Sequence, residues 1–327
     1  MELEGFEAFL LERKLNNDQI EVAVQSIREF DRFLARQDKS LENAAYDDFH
    51  NFSQYLIEKK KNSYDNYVNL LRFGYFAKNN QLIIAGLELI DGSEIMPNFS
   101  KRLIEEFGED VRNEIFGNID VPPLGLHPTK KPSITKKLIE RFLAKFGHDQ
   151  CSAFLAEGLR DNYWANSSVR EKFLEASNID DFLRNKHQDF IKQLEKHLQE
   201  TTLFYTQEIT QDVLNYVKNN PTIEAGVRKG NRVIISKIPY MTKQYLNESD
   251  EKKKRYWYCH CPWVREALLE ENQPVDPVFC NCSGGYYKKY WSTVLNQPVK
   301  VELLESVLLG DEVCKFALHL PPGIVSK

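Results

Sequence analysis

The residues best placed to do chemistry are cysteines. The chain has six, and five of them fall between positions 259 and 314 in three short elements: Tyr258-Cys259-His260-Cys261-Pro262-Trp263, Phe279-Cys280-Asn281-Cys282-Ser283-Gly284-Gly285-Tyr286, and Gly310-Asp311-Glu312-Val313-Cys314-Lys315-Phe316. In extended backbone, residues i and i+2 leave on the same face, so each Cys-x-Cys pair can offer two thiols to one point. Each pair also precedes a predicted helix. The unpaired N–H groups and positive potential of a helix N-terminus lower a nearby thiol's pKa, which favours thiolate. Four thiolates around a tetrahedral, borderline-soft ion describe zinc, so Cys259, Cys261, Cys280, Cys282 and Cys314 are the candidate ligands, with zinc the candidate cofactor. The spacing is not that of a zinc finger. Two other readings therefore stand beside it: reduced thiols of a close-packed core, and a redox pair. His260 alternates with its cysteines and would point away from them, and isolated Cys151 reads as an ordinary buried thiol.

The elements that must position these thiols follow from apolar periodicity. Residues 1–92 read as four short helices: one begins with Phe6, Phe9 and Leu10, and one is capped by Asn17 or Asp18 and carries the stripe Ile20, Val24, Ile27, Phe30 and Leu34. A third runs from Ser40 to Lys61, and the fourth is capped by Ser63. Residues 93–220 read as a further helical segment, with Ser133 as one helix cap. It is interrupted by Pro122, Pro123, Pro128 and Pro132, which mark a linker or an extended wrap over a surface. After Pro221 the period changes. Thr222 to Arg228 and Arg232 to Ile238 flank the hairpin signal Lys229-Gly230-Asn231, Arg255 to Cys259 reads as an aromatic strand, and Trp263 to Glu270 and Tyr286 to Leu295 read as helices. Val299 to Val307 and Val313 to Leu320 make a closing hairpin. The expected class is α+β: an N-terminal bundle, a helical middle, and a C-terminal antiparallel sheet with packed helices over 221–327.

The N-terminal pattern, in Phe6 to Lys14, Ile20 to Leu34 and Asn66 to Phe76, resembles the core-binding (SAM-like) domain of tyrosine recombinases and phage integrases, over a little more than a quarter of the chain. In that family the domain clamps DNA, which implies a basic face formed here by Lys59, Lys60, Lys61 and Arg72. Residues 1–90 hold 11 Lys+Arg and 15 Asp+Glu, and 11 − 15 = −4 opposes a strong phosphate-binding surface. The arginine, histidine and tyrosine constellation of recombination chemistry has no match after residue 92, so DNA integration is not expected.

The turn from Cys280 to Tyr286 and the closing stretch Glu305 to Phe316 resemble the 4-vinyl-reductase-type small-molecule-binding domain, also the sensory domain of some aromatic-responsive transcription activators. From about Met96 the chain looks more like a prokaryotic family with paired Cys-x-Cys elements in this order, over roughly 230 residues. The sensory relatives hold zinc through a glutamate and three cysteines. Carried over, that implies Glu305, one of Cys280 and Cys282, and Cys314. Ser306 stands where a further thiol is expected, and Cys259 and Cys261 could replace it. Such domains also enclose an apolar cavity, which Tyr258, Tyr286, Tyr290 and Trp291 would line here, although aromatics at helical spacing also serve as plain core.

Composition bounds the rest. In 327 residues, Lys+Arg 43 and Asp+Glu 48 give a net charge of −5, and 42% hydrophobic residues suffice for ordinary cores. The longest apolar run, Leu82 to Leu87, is far short of the roughly 20 residues that span a bilayer, so no membrane partner is expected. An acidic N-terminus points to the cytoplasm. Walker loops, Gly-x-Gly-x-x-Gly, His-Glu-x-x-His and Gly-x-Ser-x-Gly are all absent. The expectation is a cytoplasmic sensor or ligand-binding protein whose N-terminal bundle contacts DNA or protein. Its candidate partners are a small hydrophobic ligand, DNA and a second copy as a homodimer. The alternative is a thiolate- or metal-dependent hydrolase or reductase acting on a small cyclic substrate.

Overall fold

The computed structural model describes residues 3–161, 167–270 and 274–324. The chain is α+β, with two compact units. One comprises Met1–Ser93 and Val121–Lys131, the other Glu94–Asp120 and Pro132–Lys327. The residues that the sequence sets apart as a helical middle are thus grouped with the C-terminal ones, except for the proline-rich stretch 121–131.

The first unit is a bundle of α1 (Leu3–Glu12), α2 (Asn17–Ala35), α3 (Tyr46–Glu58), α4 (Tyr64–Phe76) and α5 (Asn80–Ile90). It has five helices among the described residues where periodicity predicts four. The missed helix, α5, is apolar on almost every side, so it has no 3.6-residue alternation to read. Its start is fixed by the Asn79 side chain, which accepts from the N–H groups of Gln81 and Leu82. Gly86 lets α5 sit close: a Cβ there would lie 2.6 Å from Leu71 and 2.7 Å from Phe49. The cap of α2 is Asn16, in a reciprocal box with Gln19, one residue before the predicted position. Ser63 caps α4 as expected. The predicted third helix breaks at Ala44, whose backbone is extended, into a short 3-10 turn and α3. Phe6, Leu10, Ile27, Phe30, Leu34, Phe49, Phe52 and Phe73 fill the core. The stretch 121–131 wraps this bundle. Ser53 donates to the Gly125 carbonyl at 2.7 Å and Asn62 to that of Leu124 at 3.0 Å. Gly125 takes φ +84° directly against the Tyr67 hydroxyl, where no side chain fits.

The second unit begins with α6 (Ile95–Phe107), α7 (Glu109–Phe116) and α8 (Lys131–Ala156), the last bent at Gly147. Helix α8 starts two residues before Ser133, the predicted cap. Phe99, Phe107, Phe142, Phe146 and Phe154 stack or meet edge to face where these helices pack. Next come α9 (Ser167–Glu175), α10 (Ile179–Glu200), a two-residue hairpin of β1 (Leu203–Phe204) and β2 (Gln207–Glu208), and α11 (Gln211–Lys218). The main sheet contains β3 (Val227–Lys229) and β4 (Arg232–Ser236), joined by the predicted hairpin. After α12 (Thr242–Asn247), α13 (Glu251–Tyr258) and α14 (Asn281–Leu295) it is completed by β5 (Lys300–Glu305) and β6 (Lys315–His319), in the antiparallel order β3-β4-β6-β5. Trp291, Val294 and Leu295 of α14 pack on Val233, Ile235, Phe316 and Leu318 of the sheet.

Two expectations fail here. Arg255 to Cys259 is no strand: Asp250 caps a helix by accepting from the Lys253 N–H at 2.8 Å, and the helix-favouring run Glu251 to Arg255 carries Tyr256, Trp257 and Tyr258 into its last turn. Trp263 to Glu270 forms only a 3-10 turn, Arg265–Leu268. No helix among the described residues is long and apolar enough to cross a membrane.

Candidate metal centre

None of the six cysteines forms a disulfide, and the fold gathers five of them. Cys259 ends α13, its N–H bonded to the carbonyls of Arg255 and Tyr256. Cys261 follows in the turn, where its carbonyl accepts from Val264 and Arg265. Cys280 ends a 3-10 turn (Pro277–Cys280) that Asp276 caps through the Val278 N–H, and Cys282 lies in the first turn of α14. Cys314 immediately precedes β6.

The sulfurs lie within electrostatic reach of one another. Cys259 feels Cys261 and Cys314, Cys280 feels Cys314, Cys259 and Cys261, and Cys314 feels Cys261. Cys282 feels Cys261, beside the cations Arg160 and Lys237, but is not aligned with Cys280. The cause is local geometry. Cys280 has helical backbone (φ −64°, ψ −18°), so Cys280 and Cys282 are not in an extended pair. At roughly 100° per residue they diverge, whereas extended backbone would have aligned them.

The Ser306 hydroxyl joins the group, donating to Cys280 Sγ at 3.1 Å. Tyr258 braces it: its hydroxyl donates to the Lys237 carbonyl at 2.7 Å, with the Cys314 carbonyl at 3.4 Å. His260 turns its Nε2 to the Ile238 carbonyl. Glu305, the glutamate implied by the sensory-domain resemblance, holds Lys315 through both carboxylate oxygens at 2.9 Å.

Burial opposes the expected thiolates. It pushes Cys259, Cys280 and Cys314 up from the ordinary thiol range and Cys282 up to about 11, with neighbouring thiols adding to all four. Desolvation outweighs the helix N-terminus. Among the described residues no three His, Cys, Asp or Glu side chains stand in a ready metal-holding arrangement. The thiols are neighbours, and closing them on an ion requires side-chain rotation and loss of their protons.

The other candidate residues are dispersed. Tyr258 lies at the thiols, 1% exposed. Tyr286 and Tyr290 are half-buried on α14, with the Lys186 ammonium 4.7 Å from the Tyr290 ring. Trp291 is fully buried against Phe182, and its Nε1–H has no partner. In the bundle, Lys61 pairs with Glu29 at 2.7 Å, Lys59 lies 6.0 Å from the Tyr55 ring, Lys60 is exposed, and Arg72 donates to Asn69 at 2.7 Å. Sequence reasoning missed Arg32 and Arg36. Spaced one helical turn apart on α2, they line a recess of about 230 Å³ with Lys61, Glu29, Phe33 and Tyr55. That spacing was the available signal.

Residues 242–322 match the model of a family of unknown function (DUF6144). The matched segment runs from α12 through β6 and contains all five clustered cysteines. No curated protein and no solved structure matches the chain.

Proposed function

We propose that the second unit is the binding domain of a cytoplasmic sensor protein, in which Cys259, Cys261, Cys280 and Cys314 take one soft or borderline cation, zinc being the ion their donor set suits. The observation that carries this is the convergence of four thiols from three separated segments, supported by six cysteines outside any disulfide, as expected in a reducing compartment. A bound zinc would cross-link the end of α13, the start of α14 and the start of β6, and so couple metal occupancy to the packing of the sheet. The same burial argues against the thiol-enzyme alternative, because a nucleophilic cysteine needs its thiolate near neutral pH. Elemental analysis of full-length protein purified without added metal, combined with thiol counting, tests the proposal. One zinc per chain with four protected thiols supports it; no zinc bound on addition and six freely titrating thiols overturn it.

The bundle is then the partner-contacting half. Its recess of Arg32, Arg36 and Lys61 beside two aromatic rings suits an anionic group, and DNA is the partner that the core-binding resemblance implies. The Glu29 carboxylate within the recess and the net charge of −4 over residues 1–90 limit such binding to low salt. A salt-dependent DNA titration checks this reading, and absence of binding at low salt rejects it.

A further inference from the structure

The main sheet ends on β5. This strand pairs with β6 on one side, and no described strand pairs with its other side. An edge six residues long leaves alternate backbone N–H and C=O groups open to a partner strand. Beside it lies a groove of about 920 Å³, lined along the strand by residues 299–303 and, from the second half of α8, by His148, Asp149, Ser152, Ala153 and Ala156. Ser152, Ala153 and Ala156 are small, which leaves room for backbone beside the apolar Val301 and Leu303.

We propose that this edge receives the β5 strand of a second copy of the chain, antiparallel and centred on Val301, joining two sheets into one. Exposure alternates along β5: Lys300 and Glu302 face outward, while Val301 and Leu303 face the core. With Val301 opposite its own copy, Lys300 lies opposite the partner's Glu302 and Glu302 opposite the partner's Lys300, giving two cross-strand ion pairs on the outer face. On the inner face the added strand brings Val299, Val301 and Leu303 toward Ala153 and Ala156. Both faces therefore complement a second copy of the same strand. Lys300 makes no ion pair within its own chain among the described residues, and Glu302 meets only His319, at 3.0 Å. The register shift between Leu303 and Glu305 interrupts regular pairing there and confines it to the stretch around Val301. Charged residues on an edge usually repel other strands. Here their alternation in sign makes the edge complementary to its own inverted copy.

The test is sedimentation equilibrium of the full chain. Wild type is expected to dimerise in the micromolar range, and Lys300→Glu and Glu302→Lys each to weaken association at least about tenfold by setting like charges opposite each other. The double variant K300E/E302K, which exchanges the two charges, should restore the wild-type constant. The positions are exposed, and an unchanged circular-dichroism melt confirms that each variant is folded. A wild-type chain that stays monomeric, a dimer indifferent to the single exchanges, or a double variant that fails to recover overturns the proposal.

Discussion

The Ser306 hydroxyl donates to the Cys280 sulfur at 3.1 Å and so ties together two residues that are 26 positions apart in the chain. The same oxygen accepts from the Leu308 N–H at 3.2 Å, and the Ser306 N–H donates to Asp311 at 2.8 Å. Ser306 therefore holds the turn that leads to Cys314 and ties that turn to Cys280.

Ser306→Ala should cost about 1 kcal/mol, because it leaves the Leu308 N–H without its acceptor, and chemical denaturation checks this. Ser306→Cys should instead raise zinc affinity, since it places another sulfur beside Cys280. Competition with a chromophoric chelator reads that change. The Cys282→Ser variant should leave zinc stoichiometry untouched, because Cys282 diverges from the other thiols.

Neighbouring glycines of α14 should respond in opposite senses to alanine. At Gly285 a Cβ would lie 2.2 Å from the Gly158 Cα, a backbone atom that cannot swing aside, so Gly285→Ala should destabilise by roughly 1–3 kcal/mol. At Gly284 the nearest atom is 3.6 Å away on Val301, an ordinary contact. There the helix propensity of alanine dominates, and Gly284→Ala should stabilise by up to about 1 kcal/mol. Urea midpoints of the two variants compare them directly.

His50 gives the bundle a pH dependence. It is 3% exposed, and neither ring nitrogen has a hydrogen-bond partner. Burial, reinforced by His127, lowers its pKa from 6.5 to about 4 against the opposing pull of Glu88 and Asp47, with Lys131 also lowering it. Tyr46 covers one face of the ring at 4.4 Å. The unfolded chain binds this proton below pH 6.5 and the folded chain only near pH 4, so the contribution is complete above 6.5 and is lost as pH falls to about 4. The loss totals about 3 kcal/mol. His50→Phe should flatten the stability profile between pH 6.5 and 4, and thermal melts across that range measure it.

Apolar stripes and caps carried most of the fold. The hairpin around Gly230, the closing strands and the Ser63 cap all follow from local chemistry. What escaped was where locality fails. Helix α5 has no polar face, and Tyr256 to Tyr258 look like a strand until Asp250 and the charged run before them are counted as one helix. At the thiols, the cysteine positions were legible, as was Ser306 as a departure from the sensory-domain pattern. The divergence of Cys280 and Cys282 was not, because the backbone is already helical through both cysteines, whereas the glycines suggest a helix only from Tyr286. Nor was the protonated state of the thiols, since burial is a property of the assembled core.

The central claim is that Cys259, Cys261, Cys280 and Cys314 close on one ion, and cobalt(II) substitution tests it most directly through the visible spectrum. The account predicts intense tetrahedral ligand-field bands with sulfur-to-cobalt charge transfer. They should saturate at one cobalt per chain, be displaced by zinc, and be lost in Cys280→Ser and Cys314→Ser but kept in Cys282→Ser. A spectrum of weak six-coordinate cobalt, or bands that survive the loss of Cys280 and Cys314, would contradict it.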